Sequence, residues 1–339
     1  MSMGERTVPW SRVLTFTDPL HYQAAIRAGD WDIYPTKSGQ FRGELTQINL
    51  NKLWMQRLHQ ELPQVQIGAV TPNRKVIGFL TEARQPALHH RGEEISSNDI
   101  VVNTGMMHQR TEGDCRYGGM SLSDDDFDAA CQAITGRDFA VPAFKHIFRP
   151  GPDLMRRLLN LHEMVGAIAK TTPELFDLPE AVRALEQQLI HLMVRCLTEG
   201  SVSTMTGGGR RHDAIVARFE EFLEANPNTP LYLPEICAAI GAAERTLRDA
   251  CEKHLGMGPI RYLALRRMHL VRRALARAVS STTTVTRIAT DHGFWELGRF
   301  SVNYRTMFGE TPSVTLQRPP DDRLMSLNRP SSFANSEFA

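Results

Sequence analysis

His89, His90, Glu93, Glu94 and His108 are the residue types a divalent metal takes as ligands, and they lie close together in the chain. A metal needs side chains that converge. Neighbours along a strand point to opposite faces, so His89 and His90 reach one site only across a bulge. No His-x-His pair is present either, and the expectation is no bound metal and no cofactor. His162 and Glu163 open like the zinc helix H-E-x-x-H, but residue 166 is Gly. There is no G-x-S-x-G elbow, no G-x4-G-K-[ST] loop and no G-x-G-x-x-G turn, so the chain is not expected to be an enzyme. Trp31, Tyr34, Phe41, Trp54, Phe79 and Tyr117 would line an apolar pocket or simply fill a core, and the effector-binding residues are unknown. The strongest signal is basic. Residues 241–318 hold thirteen Lys and Arg against six Asp and Glu, in a chain whose net charge is only +1. That asymmetry is the footprint of a nucleic-acid module joined to something more acidic.

Those charges are carried by a recognisable arrangement of helices. Leu297, Phe300, Tyr304 and Phe308 recur at three and four, so Arg299, Ser301, Val302, Asn303 and Arg305 must face outward. Arginine and asparagine are the side chains that read guanine and adenine edges. Val285, Ile288 and Ala289 predict a preceding helix, with Gly293 turning the chain between the two and Gly309 and Pro312 stopping the second. A second copy lies upstream. Leu233, Ile236, Cys237 and Ile240 run to Gly241, and Leu247, Ala250, Cys251 and Leu255 run to Gly256. Between the copies a helix from Pro259 to Ala278 packs Leu263, Met268, Val271 and Leu275 while its six arginines stay in water. One pair alone would fit an αα-hairpin in a helical core. Two helix-turn-helix units held by one long connector fit adjacent major-groove windows, which recur every ~34–36 Å of B-DNA.

Residues from about His212 to Arg318 resemble the DNA-binding domain of the AraC/XylS family of bacterial transcription regulators. The likeness is carried by ERTLR at Glu244–Arg248, RYL at Arg261–Leu263, IATDHGF at Ile288–Phe294 and F-x3-Y-x3-FG-x2-P from Phe300 to Pro312. It covers about the last third of the chain. Residue-for-residue match implies DNA contacts from Arg245, Thr246, Arg248 and Asp249 on a first recognition helix, roughly Ala243–Leu255. On the second, roughly Glu296–Phe308, it implies Leu297, Gly298, Arg299, Val302 and Asn303, with Arg305 and the connector arginines placed for phosphates. Ala243 departs from the family by lacking a capping hydroxyl, and Leu297–Gly298 by lacking polar base-readers.

The rest of the chain organises around this module. A helix is expected over 18–29, then short strands including 41–50, 64–70, 75–80, 100–104 and 116–122, an antiparallel sandwich or small barrel. Helices follow over 123–136, 152–170 and 178–200, their apolar stripes closing the barrel or pairing with a second subunit. Residues 201–212, with Gly207–Gly209, read as a flexible linker, and 319–339 as a disordered tail. Five scattered cysteines without CxxC spacing, no signal peptide and no membrane-length apolar run point to reduced cytoplasm.

The expected fold is two-domain α+β. An effector-sensing and dimerisation domain over 1–200, which the resemblance makes a cupin-like β-barrel with a helical extension, precedes an all-α DNA-binding domain over 213–318 with two helix-turn-helix units. The resemblance implies a ligand-responsive transcription activator whose partners are double-stranded promoter DNA, RNA polymerase, a small-molecule effector and a second copy in a homodimer, with no membrane. The competing readings are an enzyme with a cupin-type metal centre fused to a DNA-binding module, and an effector-independent regulator whose barrel only dimerises.

Overall fold

The computed structural model describes residues 8–103, 105–139, 146–227 and 231–319. It opens with β1 (Trp10–Phe16), in a stretch where the sequence pattern shows no strand. Asp18 caps α1 (Pro19–Ala25) by accepting the Leu20 amide at 2.9 Å. That helix ends before Gly29, which instead starts β2 (Gly29–Pro35). β3 (Gly43–Leu50) and β4 (Leu53–Gln60) form a hairpin whose turn residue Asn51 has φ 74°. Then come β5 (Gln64–Val70), β6 (Arg74–Leu80), β7 (Leu88–His90), β8 (Glu93–Glu94), β9 (Ile100–Asn103), β10 (Met106–Thr111) and β11 (Cys115–Ser123). α2 (Asp124–Thr135) begins on a Ser123 cap with three aspartates in its first turn. β12 (Ile147–Arg149), α3 (Pro152–Thr171), α4 (Pro179–Glu199) and β13 (Ser201–Ser203) complete the N-terminal part.

Two antiparallel sheets result, one ordered β1-β3-β4-β11-β6-β9-β12-β13 and the other β2-β5-β10-β7-β8. Neither closes on itself, so this half of the chain is an open sheet-rich domain. On the outer face of the larger sheet, Leu158, Val165, Leu189 and Met193 of α3 and α4 pack on Ile48, Met55, Ile77, Phe79 and Met120. The helical stripes are thus used within the chain. Glu186 of α4 also accepts the amides of Lys52 and Leu53, at 2.7 and 3.0 Å, tying that helix to the β3–β4 turn. Clusters around Ile33 and Leu45, and around Leu88 and Val101, link the two sheets.

The free face of the smaller sheet is covered by the C-terminal domain: α5 (Gly207–Ala225), α6 (Leu233–Ile240), α7 (Glu244–Leu255), α8 (Pro259–Arg277), α9 (Val285–Asp291), α10 (Leu297–Phe308) and α11 (Pro312–Gln317). Tyr34, Val65 and Ile67 join Ile215, Val216, Phe219, Leu247 and Tyr262 in a single core. These strand residues share one face, so a one-residue slip of β5 would turn Val65 and Ile67 out of that core. Residues 201–212 differ from the expected flexible linker. Ser201–Ser203 pair with β12, and Gly207–Gly209 are the first turn of α5. Thr206 Oγ1 accepts the Gly209 amide at 3.0 Å, and burial of the helix further along outweighs the low propensity of glycine. The tail expected over 319–339 lies, beyond Pro319, outside the described residues.

Candidate DNA interface

α10 is fixed by its inner face. Phe300 and Tyr304 are buried, with their rings 5.7 Å apart, and Tyr304 shares a 2.8 Å hydroxyl contact with Thr315 of α11. That packing leaves Gly298, Arg299, Val302, Asn303 and Arg305 exposed on the opposite face. Leu297 is half-buried against the core formed with α8 and α9. Gly293, at φ 79°, turns the chain between α9 and α10. Arg299 lies 3.7 Å from Glu296, an exposed pair that does little to restrain it.

α7 repeats the arrangement. Leu247, Ala250, Cys251 and Leu255 face the first core, while Arg245, Arg248 and Asp249 are exposed and Thr246 is half-buried. Gly241 (φ 63°) makes the turn from α6. Arg248 meets Glu244 one turn earlier at 2.9 Å, and Ala243 stands at the N-cap with no side-chain acceptor. Trp295, 73 % exposed in the turn before α10, is a further candidate that helical periodicity does not mark. Its signal was its position, a large ring beside a turn glycine with no place in the helical stripe.

The connector arginines do not stay in water. Arg266 and Arg272 are buried, Arg267, Arg273 and Arg277 are half-buried, and only Arg261 of the six is exposed. Arg272 pairs with Asp18 at 2.6 Å and lies 4.5 Å from the Phe308 ring centre. Arg273 pairs with Asp32, which also accepts the Tyr34 hydroxyl at 2.8 Å. Burial works to raise the Asp32 carboxyl, but Arg273, the Tyr34 hydroxyl and Arg266 together hold the group below its ordinary value. α8 is enclosed on two sides, by the helical cores and by the sheet. Its polar face therefore becomes a latch between domains, so Arg266, Arg272 and Arg273 are not available to phosphates.

The residues weighed for other chemistry are dispersed. His89 faces Glu112 at 3.8 Å, whereas His90 is buried on the other side of β7. His108 meets His254 and Asp213 instead of either, partners too distant in sequence to be linked by spacing. Arg57 occupies both His162, at 3.0 Å, and Glu163. Tyr34 joins the core between domains, Phe41 packs on Tyr22, Phe79 lies under α3, and Trp54 is stacked by Arg27 and Arg74 at 4.6 and 3.8 Å. The five cysteines are free thiols. Among the described residues no helix is long and apolar enough to cross a membrane.

A helical domain with outward polar faces on α7 and α10 defines the helix-turn-helix class, and residues 236–318 match the family model described as a helix-turn-helix domain. The chain is 35% identical over 99 residues to the XylDLEGF operon transcriptional activator 2 of Pseudomonas putida, covering 29% of this chain and 63% of that one. It is 30% identical over 174 residues to the "Probable thc operon regulatory protein" of Rhodococcus erythropolis, covering 48% and 52% respectively. The chain thus spans less than two thirds of either relative. A solved structure of a probable AraC family transcriptional regulator from Rhodopseudomonas palustris shares 36% identity over 31% of this chain and 98% of that one, with TM-score 0.28. Residues 236–318 are thus a helix-turn-helix domain of the type found in AraC/XylS-family activators.

Proposed function

We propose that the chain is a sequence-specific transcription regulator, an activator responsive to a small molecule, and not an enzyme. The observation that carries this reading is the exposed Arg299–Asn303–Arg305 face of α10, set opposite an aromatic face on which Phe300 and Tyr304 are buried. In this reading both helix pairs are helix-turn-helix units, and α7 and α10 enter adjacent major-groove segments. Arg245, Arg248 and Arg299 read guanine, Asn303 reads adenine, and Val302 meets a thymine methyl. Thr246 and Asp249 flank the first set, Gly298 lets the backbone of α10 approach, and Arg305 holds a phosphate. Leu297 contributes by fixing α10 on its core. The sheet-rich part, of cupin-like ancestry, is the sensing and dimerisation domain, and the boundary falls between Ser203 and Gly207. RNA polymerase is the partner an activator requires.

The experiment is selection of genomic fragments by the purified chain, followed by titration of the enriched site and of single-base variants at several salt concentrations. Enrichment of one motif with two segments about one helical turn apart is expected. If no motif is enriched, and binding is equal on all sequences, the reading fails.

A further inference from the structure

We propose that His108, Asp213 and His254 form a site for a borderline transition-metal ion, such as Zn2+ or Co2+, that joins the two domains and fixes α7 against the sheet. Its regulatory consequence rests on the DNA-binding reading above; the site itself does not.

His108 Nε2, His254 Nδ1 and a carboxylate oxygen of Asp213 all lie within 4.8 Å of one another, and all three residues are buried. They come from β10, α7 and α5, so the cluster spans the domain interface. The two imidazole nitrogens face each other at 2.5 Å, and Asp213 Oδ1 lies 3.7 Å from His108 Nε2. Two ligands of a tetrahedral ion at ~2.0–2.1 Å stand about 3.3 Å apart, so the rings need to part by less than about 1 Å to admit one.

The surroundings are organised as a ligand's would be. Arg91 donates to Asp213 Oδ2 at 3.0 Å, which orients the carboxylate and leaves Oδ1 turned toward the imidazoles. Arg91 also donates to His146 Nε2 at 3.0 Å, and its charge is offset by the ion pair with Asp213. Two neutral nitrogens facing each other share one proton, and His254 Nε2 has no partner. Without an ion one of the facing nitrogens must donate to the other, whereas an ion accepts a lone pair from each and leaves the proton of His254 on Nε2. Gly92, at φ 77°, lies against the His254 ring, where a side chain would come within 2.8 Å of Nε2. Two imidazoles and one carboxylate suit Zn2+, Co2+ or Ni2+, whereas Mg2+ and Ca2+ require oxygen ligands. A fourth position remains for water.

The test uses the full chain, stripped with chelator and titrated with Co2+ and then with Zn2+. One equivalent of Co2+ should bind with a visible d–d spectrum, and Zn2+ should displace it. His108→Gln and His254→Gln should each weaken binding by more than about a hundredfold, against no change for the exposed His191→Gln. The two variants lie in different domains, and circular dichroism without metal shows which remain folded. If both misfold, Asp213→Asn carries the test with the same expectation. Absence of stoichiometric binding, or binding unaffected by these changes, overturns the site. Zn2+ should also shift affinity for the selected DNA by about fivefold or more, and no shift overturns the coupling. DNA binding without metal binding defeats this inference alone. Metal binding through the triad in a chain that ignores DNA defeats only the reading it rests on.

Discussion

Arg299 and Arg305 stand six positions apart on α10, well over one turn, and both are exposed. Arg299 lies in the first turn, where helix-turn-helix proteins place base-reading side chains, and Arg305 lies near the end, toward the sugar–phosphate wall. Arg299→Ala is predicted to cost about 1–3 kcal/mol on the preferred site and to relax discrimination at one base pair. Arg305→Ala should weaken all sequences alike and reduce the salt slope of log K by about one. Titrations on single-base variants separate the two, and an intact preference in Arg299→Ala would leave specificity to Arg245 and Arg248. Glu220 makes a different kind of prediction. Burial between α5 and α8 pushes its carboxyl up from 4.5 to about 7, with Arg266 opposing. The native state then holds more protons than the unfolded state between those values. Glu220 therefore removes stability as pH rises through that window, by up to about 1.4 kcal/mol per unit. His254 and His269 act with the opposite sign. Burial lowers both to about 3, so their contribution is lost as pH falls below 6.5. Denaturant melts of Glu220→Gln and the parent from about pH 5 to 8 should diverge, with the variant gaining as pH rises. Parallel curves would show that Glu220 carries no such penalty.

At the scale of elements, α7 starts without a side-chain cap because Ala243 offers no acceptor. Ala243→Ser should stabilise the protein by about 0.5–2 kcal/mol, read as a higher midpoint in urea at unchanged m. Asp32→Asn tests the latch on α8. It leaves Arg273 without its counter-charge at a half-buried site and should cost about 2–4 kcal/mol, whereas a loss under 1 kcal/mol would mean that water already serves Arg273. The latch also shows what the sequence conceals. α7, α9 and α10 are legible because their apolar residues recur at helical spacing and meet helices next in the chain. The buried arginines of α8 are not, since periodicity names an inner face but cannot announce a sheet packing on the outer one. Gly207–Gly209 mislead for a related reason, because local composition says coil while Ile215, Val216 and Phe219 further along the helix are buried. β1 has an irregular burial pattern and gains its strand only by pairing with β3, seen from neither segment alone. Of the interface, the exposed arginines and Asn303 follow from the pattern, whereas the inward turn of Leu297 requires the core to be in place.

For the whole molecule, the layers run from α2–α4 through the two sheets to the helical domain, and the last boundary is not a bare linker. Tyr34, Val65 and Ile67 share a core with α5, α7 and α8, while Asp18 and Asp32 neutralise arginines of α8. Cutting the chain here exposes apolar surface, at a cost of roughly 25 cal/mol per Å2. The same cut frees the latch arginines into water, where they need no counter-charge. A fragment from Thr206 to Arg318 should therefore fold, but melt below the full chain. It should keep the same base preference, because the outward residues of α7 and α10 do not touch the sheet. A fragment beginning at His212 loses the Thr206 cap and the first turn of α5. A lost cap costs about 1 kcal/mol, or about 4–8 °C for a domain of this size, so the shorter fragment should melt lower again. Circular dichroism gives the order of midpoints, and titration of the selected site gives the preference. If the longer fragment is unfolded, or binds all sequences equally, the sheet face is part of the first helix pair's own core. The boundary between Ser203 and Gly207 would then divide the chain in sequence but not in folding.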